Sequence, residues 1–343
     1  MEKEKKQGEK GTFSNVILPY LRYIGNRLLH LIPVIIVISI VIFTLINLMP
    51  GDPVLAMINP ETTANMSEEQ RIAYIETMRK ILGYDKTVFV RYFLWWKDVL
   101  TGNFGYSVAL NKPVSDFIGT YIMNSFKVNI VGFIIAFLIA IPIGIKSAVK
   151  KNSRYDKAVT VISMVGISLP SFFMALLLVL LFSAILRVLP FSGMSDPRGV
   201  RPDYLYYILP VSVIVLGSLA GLIRYIRNAM IEVLKADYIR TSRAKGLSEK
   251  VVIYRHAFKN ALIPVITIIG FWIPALFGGS IIVEKIFAWP GMGLLMNQAY
   301  QFKDRGVLST VLLFFAVLTL FANLFVDIGY ALVDPRIKAR RIK

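Results

Sequence analysis

No cysteine occurs anywhere in the 343 residues, and histidine occurs only at His30 and His256. A disulfide framework, a thiolate nucleophile and a cysteine-based metal site are therefore excluded, and acid–base chemistry has few groups to draw on. The pattern G-x-x-x-x-G-K-[ST] is also missing, so there is no phosphate cradle with its lysine. Acidic residues are scarce as well: 21 Asp and Glu stand against 39 Lys and Arg, for a net charge of +18.

Apolar sequence is abundant instead. Hydrophobic residues make up 56% of the chain and the mean hydropathy is +0.62, above the roughly 45–50% apolar usage of a soluble domain. A helix needs about 20 mostly apolar residues to cross the hydrocarbon, because every backbone amide must be satisfied within the segment. Six runs qualify: Leu31 to Met49, Val128 to Ile145, Ala158 to Leu186, Leu205 to Ile223, Ala261 to Val283 and Val307 to Val333. The expected fold is an all-α polytopic membrane protein with six spans, the long third and sixth tilted or extended into the cytoplasm. The run after His30 ends in Met49-Pro-Gly-Asp-Pro53 and reads as a retained first span rather than a cleaved leader.

Basic residues near spans stay in the cytoplasm, and here they alternate from loop to loop. The stretch to Arg27, the loop from Lys146 to Lys157, the stretch from Arg224 to Lys259 and the tail from Arg336 together hold 25 of the 39. Both termini are expected inside. The expected organisation is a cytoplasmic segment 1–30, a first span 31–49, an extracellular subdomain 50–120, a transmembrane core 121–333 carrying a cytoplasmic loop at 224–260, and a cytoplasmic tail 334–343. The outer loop holds seven basic and eight acidic residues, so it is nearly neutral. A nucleic-acid binder would gather its charge on one soluble face, which excludes that class.

Within the outer loop, Ser67-Glu-Glu-Gln70 reads as a capping box opening a helix that stops at Gly83. Tyr92, Phe93, Trp95 and Trp96 follow as an aromatic cluster suited to a membrane interface. Inside, Ile223, Ile226, Met230, Val233 or Leu234, and Tyr238 recur at helical spacing, Gly246 offers a helix stop, and Ser248 can cap a second helix running into Pro264 at the first turn of the next span. A basic loop beside anionic lipid would explain the charge but not this ordered stop and restart. A docking element for a cytoplasmic protein explains both.

These residues carry a family resemblance. Asp237-Tyr-Ile-Arg-Thr-Ser-Arg-Ala-Lys-Gly-Leu247, followed by Arg255-His-Ala-Phe-Lys-Asn-Ala-Leu-Ile-Pro264, resembles the cytoplasmic EAA loop of ABC importer permeases. Pro50-Gly-Asp-Pro53, Ser168-Leu-Pro-Ser-Phe172, Val283-Glu-Lys-Ile-Phe-Ala-Trp-Pro-Gly-Met-Gly293 and Asn323-Leu-Phe-Val-Asp327 with Asp334-Pro-Arg336 resemble the B-type permease subunit of oligopeptide and dipeptide importers. The likeness runs from about Tyr20 to Lys338. Arg240-Thr241-Ser242 stands where the wider superfamily has Glu-Ala-Ala, and Lys303-Asp-Arg-Gly306 replaces the more usual Arg-Asp-Tyr-Pro.

The resemblance implies a type I ABC importer permease without catalysis of its own. Its partners would be a second permease subunit, two cytoplasmic ATPase subunits that hold ATP and Mg, an extracellular substrate-binding protein and the surrounding lipid. It implies an ATPase-coupling interface at Asp237, Tyr238, Arg240, Thr241, Arg243, Ala244, Lys245, Gly246 and Leu247. The small and bent parts of the spans, Gly166, Ser168, Ser171, Gly217, Ser218, Gly221, Gly278, Gly279 and Ser280, are expected to line the translocation path. Peptide is the expected cargo class. A nickel-chelate or glutathione importer of the same family is the alternative, and an ATP-independent channel or secondary transporter is the alternative of another class. Asp327, near the inner end of span six, reads as a proton relay, as one half of an ion pair or as a cap on a neighbouring helix. Glu284 and Lys285 read as an anchor beside Trp289-Pro290-Gly291 at the outer end of span five.

Overall fold

In the computed structural model, the described backbone covers residues 2–58 and 60–333, and the described side chains begin at residue 25, apart from 59–61, 263 and those from 330 on. The tail 334–343 lies outside the described residues. Fifteen helices and one small hairpin make up the described chain.

Helix α1 (Glu2–Leu48) carries the first apolar stretch, Gly25–Leu48. Outside it come α2 (Pro53–Met57), α3 (Pro60–Thr63), α4 (Glu68–Ile81) and α5 (Val88–Leu100). Asp52 caps α2 through Val54 N–H and pairs with Arg79 of α4, which ties the Pro-Gly-Asp-Pro turn to the subdomain. The Ser67/Gln70 capping box is formed in both directions, and Gly83 ends α4 at φ +73°. The aromatic cluster of α5 leans on the first span: Trp96 Nε1–H donates to Tyr92 Oη at 2.9 Å and to Ser39 Oγ at 3.2 Å, and Phe43 meets the Tyr92 ring edge-on at 5.4 Å. Ser39 lies nine residues before the end of α1, about 13 Å down the helix. The aromatics thus pack along the outer half of span one rather than at its rim.

A two-residue antiparallel hairpin, β1 (Tyr106–Ser107) with β2 (Lys112–Pro113), is the one departure from an all-helical chain among the described residues. Asp304 holds it, accepting from Ser107 Oγ at 2.5 Å and Ala109 N–H at 3.1 Å.

The core is the pair α6 (Ile118–Val149) and α9 (Tyr204–Leu234). Gly132, Ala136, Ala140, Gly144 and Ala148 recur every fourth residue of α6, and all are buried. This ladder of small residues lets the backbones approach closely. A Cβ on Gly132 would stand 2.7 Å from Ile214 Cγ2, and one on Gly144 2.8 Å from Ile226 Cγ2. Helix α6 exceeds its expected span by ten residues at its start and four at its end, and α9 exceeds its own by eleven at its end. The last span is α15 (Arg305–Val333), which packs on α12 (Phe258–Gly278) and on α1. Asp327 of α15 pairs with Arg27 of α1 at 2.7 Å, the ion-pair reading of that intramembrane carboxylate.

Span three departs from expectation. The single tilted helix expected from Ala158 to Leu186 is α7 (Arg154–Ser168) followed by α8 (Ser171–Leu178), which continues as a π-helical turn over Val179–Ile185. The two parts meet at 95°. Pro170 has no N–H to donate and crowds the residue before it, and Leu169 is extended at φ −79°, ψ 121°. Fifteen residues of α7 rise only about 22 Å, short of the ~30 Å hydrocarbon core. The turned α8 buries Ala175 against Val283 of α13 (Ile281–Ile286), Phe287 just after it, and Leu209 and Val213 of α9.

Span five also differs. A π-helical turn over Val252–Ala257 runs straight into α12, so Pro264 lies inside the helix with Pro274 rather than in a first turn. Helix α12 ends at Gly278, and Gly279 at φ +64° turns the chain into α13 and then α14 (Met292–Gln301). The remaining helices, α10 (Asp237–Ala244) and the short α11 (Glu249–Val251), form the connection between α9 and the π-helical turn that leads into α12.

Candidate functional site

The amphipathic stripe expected to run unbroken from Ile223 to Gly246 is interrupted. Helix α9 ends at Leu234, Ala236 is extended at φ −68°, ψ 147°, and α10 starts afresh at Asp237. The break re-aims Ile239, which is wholly buried with Ile226, Met230, Val252 and Ala257. Burying an isoleucine is worth about 1.5–3 kcal/mol, more than the one or two helical hydrogen bonds given up at about 0.5–1.5 kcal/mol each. Asp237 in the first turn and Arg243 in the last complement the helix dipole.

The nine residues assigned to the interface, Asp237, Tyr238, Arg240, Thr241, Arg243, Ala244, Lys245, Gly246 and Leu247, are all exposed, while Ile239 is buried and Ser242 half-buried. Arg240 pairs with Asp237 at 3.6 Å along the helix, and Arg243 reaches across the turn to Glu249 at 2.7 Å. Gly246 sits at φ +76° with nothing within 4 Å of the place a Cβ would take. Its glycine is therefore required by backbone conformation and not by space. Ser248 follows in extended backbone, but its hydroxyl makes no capping bond to α11. Partial burial, then the Glu232 carboxylate, push the Tyr238 phenol above its ordinary value, so it stays a neutral hydroxyl at neutral pH. The result is an eight-residue helix seated on one apolar anchor, with a polar, mostly basic outer face and two partly exposed apolar groups, Tyr238 and Leu247.

The residues expected along a path fall into separate environments. Gly217 and Gly221 are exposed on α9 with open space around them, and Ser218 turns its hydroxyl back to Ile214 O. A Cβ on Gly166 of α7 would stand 3.3 Å from Ala220 Cβ, and Ser168 bonds its own helix at Met164 O. Ser171 opens α8 beyond the bend. Gly278 faces the Phe315 ring, while Gly279 and Ser280 belong to a different construction, the turn into α13. Arg224 and Asn228 are exposed on the same stripe of α9 as Gly217 and Gly221, at spacings of four, three and four residues.

That turn encloses Glu284, only 1% exposed. Its Oε1 accepts from Ser125 Oγ at 2.7 Å and its Oε2 from Leu294 N–H at 2.8 Å, while Ser125 Oγ accepts from Met292 N–H at 2.7 Å. Trp289 donates to Asn124 O at 3.0 Å and Asn124 to Pro290 O at 3.0 Å. Glycine is needed around the carboxylate: a Cβ on Gly279 or Gly291 would stand 1.9 or 2.3 Å from Oε1. Glu284 is thus the hub that fastens the α13–α14 hairpin to α6, and its anchoring role is made inside the protein, not at a membrane rim.

Residues 140–339 match the family described as binding-protein-dependent transport system inner membrane component, and residues 20–131 match the N-terminal membrane component of the same systems. A putative peptide permease protein of Brucella suis biovar 1 is 38% identical over 322 residues, covering 93% of this chain and 99% of that protein. The oligopeptide transport system permease protein AppB of Bacillus subtilis is 37% identical over 321 residues, with coverages of 92% and 99%. Among solved structures, the inward-facing MetNI methionine ABC transporter aligns at TM-score 0.53 with 18% identity, over 63% of this chain and 96% of that one. At that identity the likeness speaks for the fold.

Proposed function

The chain belongs to the binding-protein-dependent transport system inner membrane components, and from that premise we propose that it forms half of a peptide path through the membrane, driven from α10 by cytoplasmic ATPases. Membership makes it a multi-pass permease subunit of an ABC importer that works with ATPase and substrate-binding partners in general. The observation that carries the coupling assignment is α10 itself: a short exposed helix whose one buried side chain, Ile239, roots it in the core of α6 and α9. A shallow groove on one of the ATPases would take its outer face, and closure of the ATPases would then be felt directly at α9 and at the π-helical turn leading into α12. The subunits expected around it are a second, different permease, two ATPases binding ATP and Mg, and an external binding protein that sets selectivity. Both termini face the cytoplasm in this reading, and the exposed stripe Gly217, Gly221, Arg224 and Asn228 faces the path.

Two experiments test it. Purification of the chain in mild detergent with mass spectrometry of its companions is expected to recover a second permease and ATPase subunits. Recovery alone, or only with itself, would favour an independent channel or carrier. In addition, Gly246→Val places a β-branched residue at φ +76°, a strain of about 1–3 kcal/mol, and should lower ATP-driven uptake about tenfold or more by displacing the end of α10. Unchanged uptake with an intact complex would remove α10 as the coupling helix.

A further inference from the structure

Near the inner end of α9 a buried carboxylate pairs with a partly buried arginine, an ion pair that neither the sequence motifs nor the family assignment uses. Asp156, in the first turn of α7, is 2% exposed. Arg227, on the cytoplasmic extension of α9, grips it with both edges of the guanidinium, Nε to Oδ1 at 2.6 Å and Nη2 to Oδ2 at 2.7 Å. The same carboxylate accepts from Ser147 Oγ of α6 and from Asn152 N–H at 2.8 Å in the α6–α7 turn. Four donors from three elements therefore converge on one carboxylate, which leaves none of its oxygens short of a partner. A bidentate buried pair of this kind has one good geometry, so the elements it joins move together or break it.

Its position gives that rigidity a direction. One turn further along α9, Ala229 and Met230 are buried with Ile239 of α10 and with Ile145 and Ala148 of α6. At its far end α7 stops at the Leu169–Pro170 break, and beyond the break α8 is packed on α13 and the outer half of α9. We propose that Asp156 and Arg227 are positioning residues that clamp α7 to the coupling end of the protein, so that α7 swings as a lever about Leu169–Pro170 while α8 stays with the outer hairpin. The inference rests on α10 being the coupling helix and adds the route by which its displacement reaches span three.

The chain has no cysteine, so spin labels can be placed cleanly at Lys157→Cys on the exposed face of α7 and at Val188→Cys beyond α8. In the assembled transporter, the distance between them is measured with and without ATP and vanadate. A shift is expected in the otherwise native chain, and its shifted fraction should fall about fivefold or more in Asp156→Asn, with Arg227→Lys in between because it keeps the charge but loses the fork. No shift in the otherwise native labelled chain, or a full shift in Asp156→Asn, overturns the proposal. If the asparagine variant does not assemble, Arg227→Lys decides on the same terms. Gly246→Val separates the two readings: if it leaves uptake intact the coupling assignment fails, whereas if it abolishes uptake and Asp156→Asn still shifts fully, the clamp alone fails.

Discussion

Glu284→Ala is expected to loosen the α13–α14 hairpin from α6 and to cost about 2–6 kcal/mol, because Ser125 Oγ–H and Leu294 N–H each lose their acceptor in a buried site at about 1–3 kcal/mol apiece. Removing the side chain also empties the space that Gly279, Gly291 and Gly293 leave open for it. Glu284→Gln should fall in between: it keeps one acceptor oxygen but points an amide NH2 at a donor. Melting of the purified chain in detergent, with protease cleavage between Phe287 and Gly291 as a local probe, reads both effects. A Glu284→Ala melting point within about 2 °C of the parent would mean that the carboxylate carries no such weight.

Gly144→Leu should prevent α6 and α9 from closing. Even the first carbon of the new side chain would lie 2.8 and 2.9 Å from Ile226 Cγ2 and Cβ and 3.2 Å from the Ile223 carbonyl oxygen. The carbonyl belongs to a helix backbone and cannot move aside, so overpacking costs about 1–3 kcal/mol for a single carbon and more for leucine. Gly119→Ala is the contrast, since nothing lies within 4 Å of the added carbon on the same helix. Gly119 is in the first turn of α6, where the gain in helix propensity is smaller than the roughly 0.5–1 kcal/mol of a helix interior, and the protein should be about as stable as the parent. Loss of the monodisperse peak on size-exclusion chromatography for Gly144→Leu, with retention for Gly119→Ala, is the expected pair of results; equal behaviour of the two would discount the seam.

Much of this was legible because lipid is a severe solvent. Apolar runs of sufficient length have to become spans, so five of the expected six stand as continuous helices in nearly the expected places. Local chemistry was equally direct where one residue does the work: the Ser67/Gln70 box and the Gly83 and Gly246 stops need only neighbours in sequence. The α6 ladder at every fourth residue was also there to be read, and its meaning depends only on helical period.

The misses share a cause. Pro142, Pro210, Pro264 and Pro274 stay inside continuous helices, yet Pro170 breaks one. Nothing local separates them; α8 turns because Ala175 and its neighbours find Val283 and Phe287, in and just after α13, to pack on, more than a hundred residues away. Ala236 ends α9 for a similar reason, to bring Ile239 down onto Val252 and Ala257. Asp156 and Glu284 were ordinary carboxylates in the sequence, and their weight came from Arg227 and Ser125, at separations of 71 and 159 residues.

The sequence by itself therefore determined that this is a membrane-spanning helical protein, how unevenly its basic residues fall between the loops, and which exposed segment carries an ordered helix stop, since hydrophobic length, charge and glycine φ act over a few residues at most. Tertiary structure alone decided where span three bends, which face of α10 is anchored and which carboxylates are buried hubs. Each of those depends on what packs from elsewhere in the chain, and the free energy of burial and of a satisfied charge is a property of the assembled site and not of the residue that carries it.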